Sequence, residues 1–361
     1  MVQRSTKFTG ICIAIYLVYA VFVFFILPLL LPDPVTMSRN ILAQQTRGMQ
    51  YGNLTNITLE AGGQPLRSLL VTFRGSGAMG LLEFLSRQPG AYHHFSPLIA
   101  HKERITDLPE ASSALEELHS LFNCDYNRSL AMIKYGMQTP TFRNFYGVQW
   151  KTCLTYTMDV CSNPETLSKI CKIFPFINMS VYNLGLKYIK SMLERKDLNV
   201  RMLLLIRDPR GTMGSRSNRS WCTNPACSKP YDLCSNMVED YQISEFLLKE
   251  YPHRFSIIRY EELVQHPLDG FVNIFSFYGL PTKNFQDMSK ILNETEIQAK
   301  FLEHFEMPLD WQKTLSLNEI VNIQNICQKA MILWGYKPIT DFDKGLMNIV
   351  EPLNKLPLFL K

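Results

Sequence analysis

The chain has 361 residues, with 37 Lys and Arg against 32 Asp and Glu for a formal charge of +5; 46% of its residues are hydrophobic and 19% charged. That composition excludes an intrinsically disordered chain, a collagen and a coiled coil, and so mild a basic balance implies no nucleic-acid partner. Nine cysteines are too few for a cysteine-stapled miniprotein, and the length suffices for one large α/β domain or two small ones whose core needs no metal.

In chain order, the first feature is residues 8–31 (FTGICIAIYLVYAVFVFFILPLLL), 24 positions without a charged side chain. At a rise of about 1.5 Å per residue such a helix spans a bilayer. No small-x-small cleavage site follows, so the segment reads as a retained signal anchor. Arg4 and Lys7 precede it and Asp33 follows. The positive-inside rule therefore places residues 1–7 in the cytosol and everything after residue 32 in a lumen.

Two features agree with a secretory lumen. Six Asn-x-Ser/Thr acceptors occur, at Asn53, Asn56, Asn127, Asn178, Asn218 and Asn293. Apart from Cys12, the cysteines number an even eight: Cys124, Cys153, Cys161, Cys171, Cys222, Cys227, Cys234 and Cys327. They allow up to four disulfides, whose connectivity the sequence leaves open. Zinc competes for Cys222, Cys227 and Cys234, but no Cys-x-x-Cys knuckle and no His-x-x-x-His half-site is present, so disulfides are preferred.

Residues 32–66 mix Pro, Gly, Gln, Asn and Thr without a sustained apolar period, which predicts a glycosylated stem. The folded domain is expected over 67–340, with residues 341–361 as a tail. Residues 68–73 (SLLVTF), then Gly75-Ser76-Gly77, then apolar residues 78–88 predict strand, glycine turn and buried helix. Residues 200–206 (VRMLLLI) lead into Arg207-Asp208-Pro209-Arg210-Gly211-Thr212. Residues 255–260 (FSIIRY) predict a third strand, followed by Phe271, Ile274, Phe275 and Tyr278 at helical spacing. A last helix carries Ile320, Ile323, Cys327, Ala330, Met331 and Trp334 and stops at Gly335. Strands alternating with helices predict a parallel sheet covered on both faces.

A glycine turn between a strand and a helix suits an anion, because the first-turn amides lack intrahelical partners. Gly75-x-Gly77-x-x-Gly80 matches a dinucleotide fingerprint in form, but no acidic residue stands about 20 positions on to hold a ribose. A Walker A loop would need Gly-Lys-Ser/Thr, which is absent. A phosphosulfate loop remains, entered by Arg74 with Ser76 beside the phosphate.

The segment Arg207-Asp208-Pro209-Arg210…Ser215-Arg216 gives that reading its weight. Here the chain resembles the Golgi carbohydrate sulfotransferases, whose donor is 3′-phosphoadenosine 5′-phosphosulfate (PAPS). The likeness continues through Cys234-x-x-Met237-x-x-Asp240, Ile258-Arg259-Tyr260-Glu261-Glu262-Leu263, Phe277-Tyr278-Gly279-Leu280-Pro281 and Trp311-x-x-x-Leu315, and covers about residues 67–340. It is most similar to the branch that sulfates the 6-hydroxyl of galactose, N-acetylglucosamine or N-acetylgalactosamine. The resemblance implies a P-loop-like sulfotransferase fold, a central parallel sheet flanked by helices, behind one N-terminal transmembrane helix. It further implies a single-pass type II protein of the Golgi membrane with a lumenal catalytic domain. The expected acceptor is a glycan on a glycoprotein or proteoglycan; a homo-oligomer is compatible with the sequence, and no metal is called for.

By the same resemblance Arg207 and Ser215 contact the donor's 3′-phosphate, with Asp208, Pro209 and Arg210 in the same binding segment. A guanidinium offers planar paired donors to a dianion, and Ser215 is expected at the start of the next helix, beside its dipole. Arg74 neutralises charge on the bridging oxygen and 5′-phosphate, and the loop of Gly75, Ser76, Gly77, Ala78 and Met79 holds phosphate and sulfate oxygens.

The sequence departs from the family in three places. The loop is one residue shorter than Arg-Ser/Thr-Gly-Ser-Ser and lacks its second hydroxyl, worth about 1.5–3 kcal/mol toward a charged partner. Ser96-Pro97-Leu98 stands where the family often has Glu-Pro-Leu, the Glu serving as base, and no basic residue occurs in residues 177–184. His94, or His93 beside it, is the expected replacement base. The alternative is a degenerate relative that binds nucleotide or a partner without turnover.

Overall fold

Five strands, each buried along nearly its whole length, form one parallel sheet in the order β2-β3-β1-β4-β5. They are β1 (Leu66–Val71), β2 (Ala91–His94), β3 (Phe176–Val181), β4 (Arg201–Ile206) and β5 (Phe255–Arg259). This computed structural model describes residues 2–27, 35, 37, 39–40, 57–86, 88, 90–99, 101, 104–138, 162–217, 219–222, 227–283, 303, 305, 307–339 and 350. Runs such as MLLLI in β4 are what a strand buried on both faces requires, since alternation would put polar groups under a covering helix.

The chain divides into two units, residues 1–50 with 59–64, and residues 51–58 with 65–361. In the first, helix α1 (Val2–Val21) continues into a π-helical turn, Phe22–Ile26, with Tyr16 and Phe24 well exposed. Among the described residues no helix is long and apolar enough to cross a membrane. The expected span 8–31 runs on through residues 28–31, which lie outside the described residues, as do most of the stem and tail.

The second unit holds the sheet and its helices, α2 (Ala78–Ser86), α3 (Leu108–Phe122), α4 (Leu130–Gln138), α5 (Pro164–Cys171), α6 (Leu186–Ile189), α7 (Ser191–Glu194), α8 (Pro209–Arg216), α9 (Pro230–Glu250), α10 (Tyr260–Gln265), α11 (Pro267–Tyr278), α12 (Trp311–Thr314) and α13 (Leu317–Trp334). Helices α9 and α13 pack together through the Cys234–Cys327 disulfide, the Tyr241–Trp334 ring contact and the Trp334 indole N–H donating to the Met237 carbonyl at 2.9 Å. A capping box of Ser316 and Glu319 opens α13, and left-handed Gly335 closes it, as its sequence predicts. Cys124–Cys171 and Cys222–Cys227 are the other described disulfides. Cys222, Cys227 and Cys234 are thus all in disulfides, which removes the zinc reading, while Cys153 and Cys161 lie outside the described residues.

A polar row crosses the sheet at one register level, where Ser68, Asn178 and His93 face one another on β1, β3 and β2. Ser68 donates to the Asn178 amide oxygen at 2.9 Å, and the Asn178 amide nitrogen lies 2.7 Å from His93 Nδ1. An amide nitrogen only donates, so His93 Nδ1 accepts. This corrects one expectation: Asn178 is wholly buried and bonded on both sides, so the folded chain offers no glycan acceptor there. Asn127 is exposed, whereas Asn53, Asn56, Asn218 and Asn293 lie outside the described residues.

His93 and His94 are both buried and uncharged, their pKa values held down to about 3 by burial and, for His94, also by its neighbour. Each has a folded pKa below its unfolded 6.5, so its contribution is present above pH 6.5 and is lost as pH falls, when only the unfolded chain takes up the proton. Each histidine then costs up to about 1.4 kcal/mol per pH unit. Denaturant titration should lose about 2–3 kcal/mol of stability between pH 7 and pH 5.5. The His93→Gln, His94→Gln protein should lose much less over that interval; an equal loss would place the effect elsewhere.

Candidate active site

The sheet order puts the ends of β1 and β4 side by side where the connections diverge, since β1 leads toward β2 on one flank and β4 toward β5 on the other. A crevice at the carboxyl ends of the strands opens at such a point. Both motifs that the sequence reads as anion-binding emerge there.

The turn after β1 is held by its own hydroxyls. Thr72 Oγ1 lies 2.8 Å from the Leu205 carbonyl on β4 and 2.6 Å from Ser76 Oγ. A carbonyl only accepts, so Thr72 donates to it and Ser76 donates to Thr72. The Ser76 proton is thereby engaged inside the turn, and the hydroxyl expected to meet a phosphate is instead a buried brace. Gly75 and Gly77 have φ of 85° and 80°, and a Cβ at Gly77 would stand 2.2 Å from the Tyr260 ring. What the turn does present is amide hydrogen: Ala78 and Met79 open α2, whose first-turn N–H groups have no partner within the helix.

The second motif follows β4. Arg207, 2% exposed, donates from Nη1 to the Gly75 carbonyl at 3.1 Å and lies 4.5 Å over the Tyr260 ring. Arg216 donates from Nε to the Arg74 carbonyl at 2.8 Å and from Nη1 to the Cys227 carbonyl at 3.0 Å. The two predicted motifs are therefore one assembly, joined by guanidinium-to-carbonyl bonds across 132 and 142 residues of sequence.

Other predicted site residues turn inward. Asp208 is the N-cap of α8, accepting from the Arg210 amide at 2.8 Å, with Pro209 as the first helical residue. Arg210 is fully buried, paired with the Asp208 carboxylate at 2.6 Å, donating to Gln324 at 2.7 Å and to the Lys337 carbonyl at 2.8 Å, and stacked 4.7 Å from the Trp311 ring. It ties α8 to α13 and has no face open to a nucleotide. Glu261 receives the Asp208 amide at 2.9 Å and the Tyr336 hydroxyl at 3.0 Å, and burial beside Asp208 pushes its pKa up to about 7. Ser215 is half-buried in the last turn of α8, not at a helix start, because the helix begins at Pro209.

His94 is withdrawn as a base. It is 0% exposed, with Nε2 2.8 Å from the Tyr126 hydroxyl and its ring edge-on to Tyr92, so a substrate hydroxyl has no path to it. Ser96 is equally buried, its amide donating to Ser180 Oγ at 3.2 Å.

Beside the turn lies a cleft of about 420 Å³, lined by Phe73, Arg74, Arg104, Thr106, Tyr182, Asn183, Arg216, Cys227 and the first turns of α9 from Tyr231 to Asn236. Three guanidiniums share it. Arg104 stacks 4.5 Å over Phe73 and is tied at 2.6 Å to buried Asp240. Burial and the charges of Arg104 and Arg74 bring the Arg216 pKa down to about 10, and burial lowers that of Arg74. The cleft thus carries positive charge that an anionic ligand would relieve. Sequence reasoning missed Arg104, whose loop has no motif, and quoted Arg216, Asp240 and Glu261 without giving them roles.

Residues 65–335 match the family model of the sulfotransferase domain. Carbohydrate sulfotransferase 1 of Mus musculus is 26% identical over 174 residues, 41% of this chain and 42% of that protein. Carbohydrate sulfotransferase 5 of Homo sapiens is 21% identical over 342 residues, 79% of this chain and 81% of that one. The chain thus spans less than half the length of the first relatives it matches. The crystal structure of mouse sulfotransferase SULT7A1 complexed with PAP is 10% identical, covering 82% of this chain and 91% of that one at a TM-score of 0.38.

Proposed function

The chain belongs to the sulfotransferase family, and we propose that it moves the sulfuryl group of PAPS to a hydroxyl of a glycan, the 6-hydroxyl of galactose, N-acetylglucosamine or N-acetylgalactosamine. The observation carrying this reading is the single assembly of Arg207, Gly75, Arg74 and Arg216 at the ends of β1 and β4. The residues suit a phosphosulfate nucleotide: two left-handed glycines keep side chains off the turn, first-turn amides of α2 lack partners, and the guanidiniums carry charge in excess.

Bound PAPS supplies an SO3 group whose leaving group is a phosphate. Arg74 would offset the charge growing on that phosphate, the amides of Gly77, Ala78 and Met79 would hold its oxygens, and Arg207 with Ser215 would meet the 3′-phosphate. Placement of the two substrates and neutralisation of charge account for most of the rate in such transfers. A Golgi type II anchor over residues 8–31 completes the reading, supported by its uncharged sequence and by the exposed apolar side chains of residues 13–26.

Calorimetry with 3′-phosphoadenosine 5′-phosphate (PAP), followed by transfer of labelled sulfate to a glycan panel, tests the proposal. Binding that Arg207→Ala weakens at least tenfold, together with transfer, is expected; no PAP binding by a folded chain overturns it. Burial of His94 and Ser96 favours a second reading, a nucleotide-binding relative without turnover. It predicts PAP binding with no transfer to any glycan.

A further inference from the structure

With His94 and Ser96 buried, a transferase of this kind still needs a group to take the proton of the sugar hydroxyl. Among the described residues lining the cleft, Asp232 is the one carboxylate. It stands in the first turn of α9, whose Ser235 and Asn236 line the cleft at i+3 and i+4, so one face of that helix forms the wall. The Asn236 side chain bonds the Asp232 backbone carbonyl at 2.6 Å, leaving the carboxylate unengaged by it. The cleft's other acidic neighbour, Asp240, is fully buried and committed to Arg104 at 2.6 Å and to the Leu186 amide at 3.0 Å.

Arg74 lines the same cleft, its guanidinium 5.9 Å from the Trp221 ring and near the Tyr182 and Tyr135 hydroxyls, with no carboxylate paired to it among the described residues. A half-exposed carboxylate and a half-buried guanidinium share a 420 Å³ cleft without pairing with each other or with any other described charge. An unpaired carboxylate and guanidinium lining one substrate-sized space match what the reaction needs, a cation at the leaving phosphate and a base at the attacking hydroxyl.

We propose that Asp232 is the general base. Resting on the sulfotransferase reading above, it accepts the hydroxyl proton as the sugar oxygen bonds to sulfur. The sulfur–oxygen bond to the donor phosphate breaks, its electron pair stays on the phosphate oxygen of PAP, and Asp232 afterwards yields its proton to water. The base would then stand at the start of α9 instead of in the loop after β2, where Ser96 is buried.

Full-length wild type, Asp232→Asn and Asp232→Glu are compared for PAP affinity, melting temperature and transfer across pH 4–8. The expected results for Asp232→Asn are kcat lowered 100-fold or more, KM for the acceptor changed less than threefold, PAP affinity unchanged or higher, and loss of the acidic limb of the wild-type pH profile. Asp232→Glu should restore part of kcat. An Asp232→Asn protein retaining over a third of wild-type kcat, or keeping the acidic limb, overturns the assignment while leaving the sulfotransferase reading intact. A wild-type chain that binds PAP but transfers nothing overturns both, and one that binds no PAP fails at the donor site first.

Discussion

The Arg210→Ala protein is expected to melt about 10 °C below wild type while PAP affinity, measured where both are folded, changes less than threefold. Arg210 and Asp208 form a buried ion pair with both side chains 0% exposed, and Gln324, the Lys337 carbonyl and the Trp311 ring fill the rest of the guanidinium's surroundings. Removing one member leaves a carboxylate in the interior with its charge unmatched, which costs about 3–5 kcal/mol. In a domain of this size each kcal/mol shifts the melting temperature by about 2–4 °C. Thermal unfolding and calorimetry on one sample separate the roles. Lost PAP affinity at unchanged melting temperature would return Arg210 to the donor site, where the resemblance first placed it.

The second large effect is expected at Gly77. Alanine there must hold a φ near 80°, costing about 1–2 kcal/mol for a residue with a Cβ. The added carbon would stand 2.2 Å from the Tyr260 ring, which carries the Arg207 guanidinium on its face at 4.5 Å. One methyl group therefore displaces the turn and the arginine together. Calorimetry should show PAP affinity reduced about 100-fold, or roughly 2.7 kcal/mol, and shrinking Tyr260 in the same chain should recover part of it. Unaltered PAP affinity in Gly77→Ala would mean that this turn does not hold the donor.

Both experiments bear on how far the motifs could be read from the chain alone. Residues 68–73, 200–206 and 255–260 announce strands because a parallel strand buried on both faces must be apolar throughout, and they fall on β1, β4 and β5 within two residues at either end. Helix α9 was not announced, since its 21 residues mix charges with a weak apolar stripe that only packing against α13 makes sufficient. The same limit applied at the site. Arg74, Arg207 and the two glycines could be found from spacing, because a turn and a strand end are local structures.

What a polar side chain faces is not local. Ser76, His94, Asn178 and Arg210 looked like exposed chemistry in the sequence, and each is buried with partners that the sequence pattern does not name: Thr72, Tyr126, Ser68 and His93, Gln324 and Lys337. Asp232 belongs to no motif of the sequence, and it lines the cleft with Arg74. By itself, then, the sequence determined the parallel α/β class, the family and the places of the two turns after β1 and β4, because hydrophobic period and glycine placement act over a few residues. Which cysteines pair, which arginine is a buried strut and which lines the cleft, and which candidate base is shut off from it were decided by the tertiary structure. Those choices depend on desolvation and hydrogen bonding between groups as far as 142 residues apart, and a burial environment exists only once the sheet has brought them together.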